Sequence, residues 1–364
     1  MTNMSNEKLI ELLNKIIDPD LGLSLKELDS IEKVETEGDR FKIYLKLIQP
    51  IYWVAEPLNK LINEKIVSAY PDLVFEVLIS EVSQDVSNRA ILSGVKNIIA
   101  VSSGKGGVGK SSLASNIAVS LAKSGAKVGI LDADVYGPSQ PTMFGLAGKQ
   151  MGAVRTPEGA TMGSPLESHG VKVGSMGFVM EQDQAAIVRG PMLAGYFAML
   201  FEQIWWGNLD FMVLDLPPGT GDIQLTMVQR LPLSGAVVIT TPQEISLTDV
   251  RRSIKMFEKV NVDVLGIVEN MSWFETEDLP GKKYFIFGEG GGKKVAKETG
   301  TDLLGQVPLY TGLRENGDDG TPIVIAEPES SVSKNINEVT SKIVSKVRKK
   351  NLELAQNPSV EISL

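Results

Sequence analysis

The sequence predicts an α/β protein, a parallel sheet with helices on both faces, preceded by a small α+β unit. Three observations lead there. The apolar runs IIAVSS (98–103), KVGILDAD (127–134), LDFMVLDLP (209–217), GAVVITT (235–241) and VLGIVEN (264–270) recur, with helical segments between several of them. Strands buried on both faces read as such continuous runs, whereas half-buried strands alternate. A glycine-rich loop joins the first run to an amphipathic helix. Residues 1–85 follow a different pattern, with an alternating strand and short helices.

Taken in order, residues 6–17 place Leu9, Leu13, Ile16 and Ile17 at helical spacing, and DPDLG then breaks the helix. FKIYLKLI (41–48) alternates Phe41, Ile43, Leu45 and Leu47 with Lys42, Tyr44 and Lys46, which is a half-buried strand. Pro57 suits the first turn of a helix reaching about Ser68, and LVFEVLIS (73–80) forms the next strand. The division expected is a domain over 1–85, a linker over 86–96, a second domain over 97–355 and a tail over 356–364. At the C-terminal end, Val332, Ile336, Val339, Ile343 and Val347 share a helical face beside Lys342, Lys346, Arg348, Lys349 and Lys350.

Composition narrows the function. A net charge of −9 argues against non-specific nucleic-acid binding. No apolar run reaches the ~18 residues of a membrane-spanning helix, and MTNMSNEKLIELL lacks the basic and apolar regions of a secretory signal, so the cytoplasm is expected. The chain contains no cysteine, which excludes disulfides, thiolate metal sites and thiol nucleophiles. Its one histidine, His169, cannot build a metal site alone.

The stretch VSSGKGGVGKSSLASN carries the chemistry. Gly104, Gly109, Lys110 and Ser111 fit G-x-x-x-x-G-K-[ST] between a strand and a helix. Such a loop lets backbone N–H groups converge on phosphate oxygens at a helix N-terminus. Lys110 is expected at the β- and γ-phosphates of ATP and Ser111 on Mg²⁺. The nucleotide-binding residues expected are Gly104, Lys105, Gly106, Gly107, Val108, Gly109, Lys110, Ser111 and Ser112. Asp132 and Asp134 lie two apart and share a face, while Asp215 ends another apolar run, where a second-shell Mg²⁺ carboxylate belongs.

GKGGVGKS resembles the deviant phosphate loop of septum-site-determining, chromosome-partition and nitrogenase-iron-protein ATPases. The resemblance implies a homodimer in which Lys105 crosses to the partner's nucleotide. It also implies that Asp134 positions the attacking water, that Asp132 sits near the metal and that Asn270 reads the adenine edge. GVKVGSMGF (170–178), RGPM (189–192), WGNLDFMVLDLPPGTGD (206–222), VENMSWF (268–274) and FGEGGGKKVA (287–296) narrow the likeness to the Mrp/ApbC/Nbp35 family of iron–sulfur cluster carrier ATPases. DPDLG and the strand–helix–strand order resemble the MIP18-like (DUF59) domain that some members carry in front. The family implies an iron–sulfur cluster as cargo and apo iron–sulfur client proteins or assembly factors as partners. The chain departs from it at the cargo positions. Many members bridge a cluster between protomers with a C-x-x-C pair after the ENMS-aromatic segment. Here that window reads ETEDLPGKKYFIFG. Glu275, Glu277 and Asp278 within it are hard ligands, mismatched to iron–sulfide centres. In the N-terminal unit Tyr52 of IQPIYW stands where a cysteine is usual. The alternative reading is a partition- or septum-type switch that recruits a protein or membrane partner, with the basic C-terminal stretch as the contact.

Overall fold

The computed structural model describes residues 5–38, 40–82, 91–179, 195, 197, 199–276 and 281–356. RGPM (189–192), linker residues 86–90, Glu277, Asp278 and tail residues 357–364 lie outside the described residues. The chain divides into two compact units, Met1–Asp85 with Val344–Leu364, and Val86–Ile343. The sequence-based division ran the second domain to residue 355, so the two differ at the C-terminal end.

In the first unit, helix α1 (Asn6–Leu13) is capped by the Ser5 hydroxyl and is shorter than the predicted 6–17 segment. Ile16 is still buried, whereas Ile17 is 48% exposed. Strands β1 (Ile31–Glu37), β2 (Arg40–Ile48) and β3 (Val74–Val82) form one sheet in that order. β2 runs antiparallel to β1 and parallel to β3, because helix α2 (Ala55–Ala69) makes the crossover. The alternation of β2 buries Phe41, Ile43, Leu45 and Leu47 against Leu58, Ile62 and Ile66 of α2. β1 has no comparable pattern: IEKVETE buries only Val34, so its charged residues hide it from a periodicity argument.

Of the basic residues Lys342, Lys346, Arg348, Lys349 and Lys350 in the C-terminal helix, Ser331–Gln356, Arg348 is not at the surface. Arg348 is fully buried. Its guanidinium grips both carboxylate oxygens of Asp18, at 2.8 and 2.7 Å, and its Nε donates to the Ile48 carbonyl at 2.9 Å. Asp18 also accepts the N–H groups of Asp20 and Leu21, both at 3.0 Å. The DPDLG turn is thereby a cap on its own backbone and the counter-ion of a buried arginine. A bidentate pair with its remaining donors satisfied is the arrangement in which such burial is tolerated.

In the second unit, eight strands form one sheet in the order β13-β12-β11-β4-β10-β5-β9-β8. They are β4 (Val95–Ser103), β5 (Val128–Asp132), β8 (Leu166–Ser168), β9 (Val171–Ser175), β10 (Leu209–Asp215), β11 (Gly235–Thr240), β12 (Val264–Glu269) and β13 (Leu303–Gln306). A separate hairpin pairs β6 (Gly152–Arg155) with β7 (Thr161–Ser164). All neighbours in the large sheet are parallel except β8, which closes the edge antiparallel to β9. Every residue of β10 and β11 is buried. Since successive side chains of a strand point to opposite faces, both faces there are covered. Helix α3 (Lys110–Lys123) packs on β5 and β10. His169 is structural: its Nε2 sits 3.0 Å from the Gly320 carbonyl. Trp206 is buried against Gly174, where a Cβ would collide with its ring.

Candidate functional site

Strand register builds the site. β10 lies between β4 and β5, with Asp215 opposite Val101 on one side and Asp132 on the other. Two carboxylates therefore stand side by side at the C-terminal edge of the sheet, next to the loop that leaves β4. Ligands of open α/β sheets bind at this edge.

The loop from Gly104 to Gly109 ends as the N-cap of α3. Gly107 and Gly109 have φ of +79° and +81°, a region side chains disfavour. Packing is a second reason for glycine. A Cβ on Gly104 would lie 2.3 Å from Asp249 Cβ, and one on Gly109 would lie 2.2 Å from Asn270 Nδ2. Val108 is buried, while Gly106 and Gly107 are exposed.

Four of the predicted residues converge. The Lys110 ammonium is buried, pairs with Asp215 Oδ1 and lies 3.2 Å from Ser111 Oγ. Asp132 is fully buried. Its Oδ2 accepts the N–H groups of Ser139 at 2.9 Å and Gln140 at 3.0 Å, and the Ser175 hydroxyl at 3.2 Å. Burial, and then the adjacent Asp215 carboxylate, pushes the Asp132 carboxyl up to about 7. Ser111 and two aspartates are hard oxygen donors of the kind Mg²⁺ takes, so the residues fit that ion.

Of the other predicted residues, Asp134 touches this cluster through its backbone. Asp134 is half-buried, its N–H bonded to Asp132 Oδ1 at 3.2 Å. It lines a cleft of about 450 Å³ with Tyr136, Pro217, Gly221 and Gln224. Lys105 turns to Gln243 on its own chain, at 3.4 Å, rather than to Lys110. Ser112 offers its carbonyl to the Ser115 hydroxyl and the Asn116 amide. Asn270 is buried against the loop, its Nδ2 donating to the Val108 carbonyl at 2.8 Å. Its Oδ1 is buried without a hydrogen-bond partner. The sequence reading missed Gln140, Ser175 and Gln224. Gln140 opens the short helix α4 (Gln140–Met143) directly after LDADVYGPS, and Gln224 lies in helix α5 (Asp222–Arg230) directly after PPGTGD. Both are polar residues fully withdrawn from solvent beside a predicted motif, but only the fold reveals that burial.

Comparison with known proteins shows the family and the fold. The ParA family described as NUBPL iron-transfer P-loop NTPase matches residues 94–344. The chain belongs to the iron-transfer P-loop NTPase family. An iron–sulfur cluster carrier protein of Synechocystis is 46% identical over 351 residues, covering 94% of this chain and 98% of that protein. One from Escherichia coli is 54% identical over 245 residues, covering 67% of this chain and 65% of that protein. Among solved structures, a nucleotide-binding protein of Archaeoglobus fulgidus in complex with ADP is 37% identical, with TM-score 0.57, covering 68% of this chain and 93% of that chain. The cell division ATPase MinD of Pyrococcus furiosus, 20% identical with TM-score 0.51, covers 68% of this chain and 98% of that chain and shares the fold.

As an iron-transfer P-loop NTPase, the chain is notable for lacking any cysteine. After Asn270 the backbone of Phe274 pairs with that of Tyr284, at 2.9 and 2.8 Å. Lys283 Nζ stands 3.7 Å from the Trp273 ring centre, and Phe285 and Ile286 are exposed. Among the described residues no three His, Asp or Glu side chains converge as a metal site. Iron–sulfur clusters are held by thiolates, so these residues do not fit one. Among the described residues no helix is long and apolar enough to cross a membrane.

Proposed function

We propose that this chain is a cytoplasmic, homodimeric ATPase of iron–sulfur cluster assembly or transfer whose own residues do not ligate the cluster. The observation that carries the nucleotide half is the junction of Lys110, Ser111, Asp132 and Asp215 at adjacent strand ends behind a phosphate loop. The ADP complex of the Archaeoglobus relative supports it. The relatives named as cluster carriers support the assembly role.

In this mechanism ATP phosphates lie against the backbone of residues 104–112 at the N-terminus of α3. Lys110 exchanges its bond with Asp215 for the β- and γ-phosphates. Ser111 and Asp132 would hold Mg²⁺, with Asp215 acting through a water. Mg²⁺, when bound, would neutralise phosphate charge and favour the ionised form of the Asp132 carboxyl. Asp134 orients the attacking water from the cleft it lines. Lys105 of each protomer neutralises transition-state charge at the other protomer's nucleotide. The buried Oδ1 of Asn270 accepts from an adenine amino group.

The test is phosphate release together with ATP-dependent dimerisation by light scattering. Mg²⁺-dependent release with a monomer-to-dimer shift is expected. A chain that binds ATP yet releases no phosphate would instead be a nucleotide-dependent scaffold. For the cargo half, anaerobic reconstitution with iron and sulfide is expected to leave no stoichiometric cluster on the desalted dimer. Stoichiometric, transferable iron and sulfide would overturn that half.

A further inference from the structure

Gln140 ties together three residues of the nucleotide site, although it belongs to no nucleotide motif. Its side chain is fully buried. Its backbone N–H donates to Asp132 Oδ2 at 3.0 Å. Its Nε2 donates to Asp215 Oδ2 at 2.8 Å and to the Ser111 carbonyl at 3.2 Å. The amide orientation is forced, because a flip would set a carbonyl oxygen against a carboxylate and a backbone carbonyl. The Oε1 on the same amide is buried and has no hydrogen-bond partner.

Asp215 is thus held from two sides, by the Lys110 ammonium on Oδ1 and by the Gln140 amide on Oδ2. The two donors differ in kind. Lys110 is a mobile cation with a second destination, the phosphates. Gln140 is neutral, enclosed and bonded to the first turn of α3 at the Ser111 carbonyl. A buried carboxylate stripped of its donors carries a large desolvation penalty, so one donor has to remain when the other leaves.

We propose that Gln140 is the positioning residue of the Mg²⁺ site. It keeps Asp215 in place while Lys110 transfers to nucleotide. This rests on the nucleotide-site reading above, and the experiment separates the two.

Binding of a fluorescent N-methylanthraniloyl-ADP is titrated against wild type, Gln140→Met and Gln140→Asn, first in EDTA and then across a Mg²⁺ series. No hydrolysis is involved. Gln140→Met preserves volume and removes the amide; Gln140→Asn keeps an amide that is one methylene too short. Affinity in EDTA is expected to stay within about twofold, while the Mg²⁺ concentration for half-maximal tightening rises about tenfold, the scale of one buried hydrogen bond to a charged group. The shift is expected to vanish in an Asp215→Asn background, because Gln140 acts through Asp215. If Gln140→Met does not fold, Gln140→Asn carries the test with a shift in the same direction. An unchanged Mg²⁺ dependence in a folded variant, an equal loss in EDTA, or a shift that persists in Asp215→Asn would overturn the proposal. A wild type that binds the ADP analogue without any Mg²⁺ dependence would overturn the nucleotide-site reading instead.

Discussion

The phosphate-loop rim and the segment after Asn270 meet where the Asn270 amide bonds the loop at Val108, and they are opposites in chemistry. At the rim the buried polar groups are interlocked: Lys110 on Asp215, Gln140 on Asp215 and Ser111, Asp132 on four donors. After Asn270 the chain keeps the fold, with Phe274 paired to Tyr284, but offers an exposed Phe285 and Ile286 in a protein without a single thiol. The difference teaches that in this chain the buried hydrogen bonds around Asp132 and Asp215 form without any thiolate in the protein.

The strongest way to break this comparison is at Lys105. Lys105→Ala is expected to bind ATP normally and to lose ATP-driven dimerisation, with turnover falling about 10³-fold, as when a charge supplied across an interface is removed. Full phosphate release by that variant would show that the lysine near Gln243 has no role beyond its own chain. Asp134→Ala comes next: turnover is expected to drop about 10²-fold, the contribution of one positioned general base, while an ATP-bound dimer accumulates on size-exclusion chromatography. Normal hydrolysis would reassign the base. Asn270→Ala removes the bond to Val108 and is expected to weaken ADP binding about tenfold, measured by calorimetry, with selectivity for adenine over guanine reduced. The smallest effect sharpens the contrast: iron and sulfide added to the protein anaerobically are expected to leave the steady-state phosphate release rate unchanged. A change in rate would mean that the cargo side speaks to the rim after all.

Much of this was legible in the sequence, and for identifiable reasons. The family, the sheet and the phosphate loop follow from long apolar runs and a motif whose spacing is fixed by backbone geometry. Asp132 and Asp215 could be assigned to strand ends by eye, but their adjacency is a matter of register, which sequence does not print. Gln140, Ser175 and Gln224 escaped because a polar residue in a loop or short helix is ordinarily solvated. β1 escaped because five of its seven residues are charged or threonine-like in pattern rather than alternating. Arg348 looked like one of several basic residues on a helix and proved to be enclosed, since nothing local in sequence names Asp18 as its partner across 330 positions. The lone histidine and the absent cysteines, by contrast, needed no fold to interpret.

That pairing has a consequence for how the chain comes into being. Residues of the first unit emerge from the ribosome long before the helix that supplies Val344, Val347 and Arg348 to it. Until synthesis reaches Arg348, Asp18 has no guanidinium to meet. The earlier unit is therefore completed only after the later one has been made, and a nascent chain stopped before Arg348 leaves a defect back at Asp18.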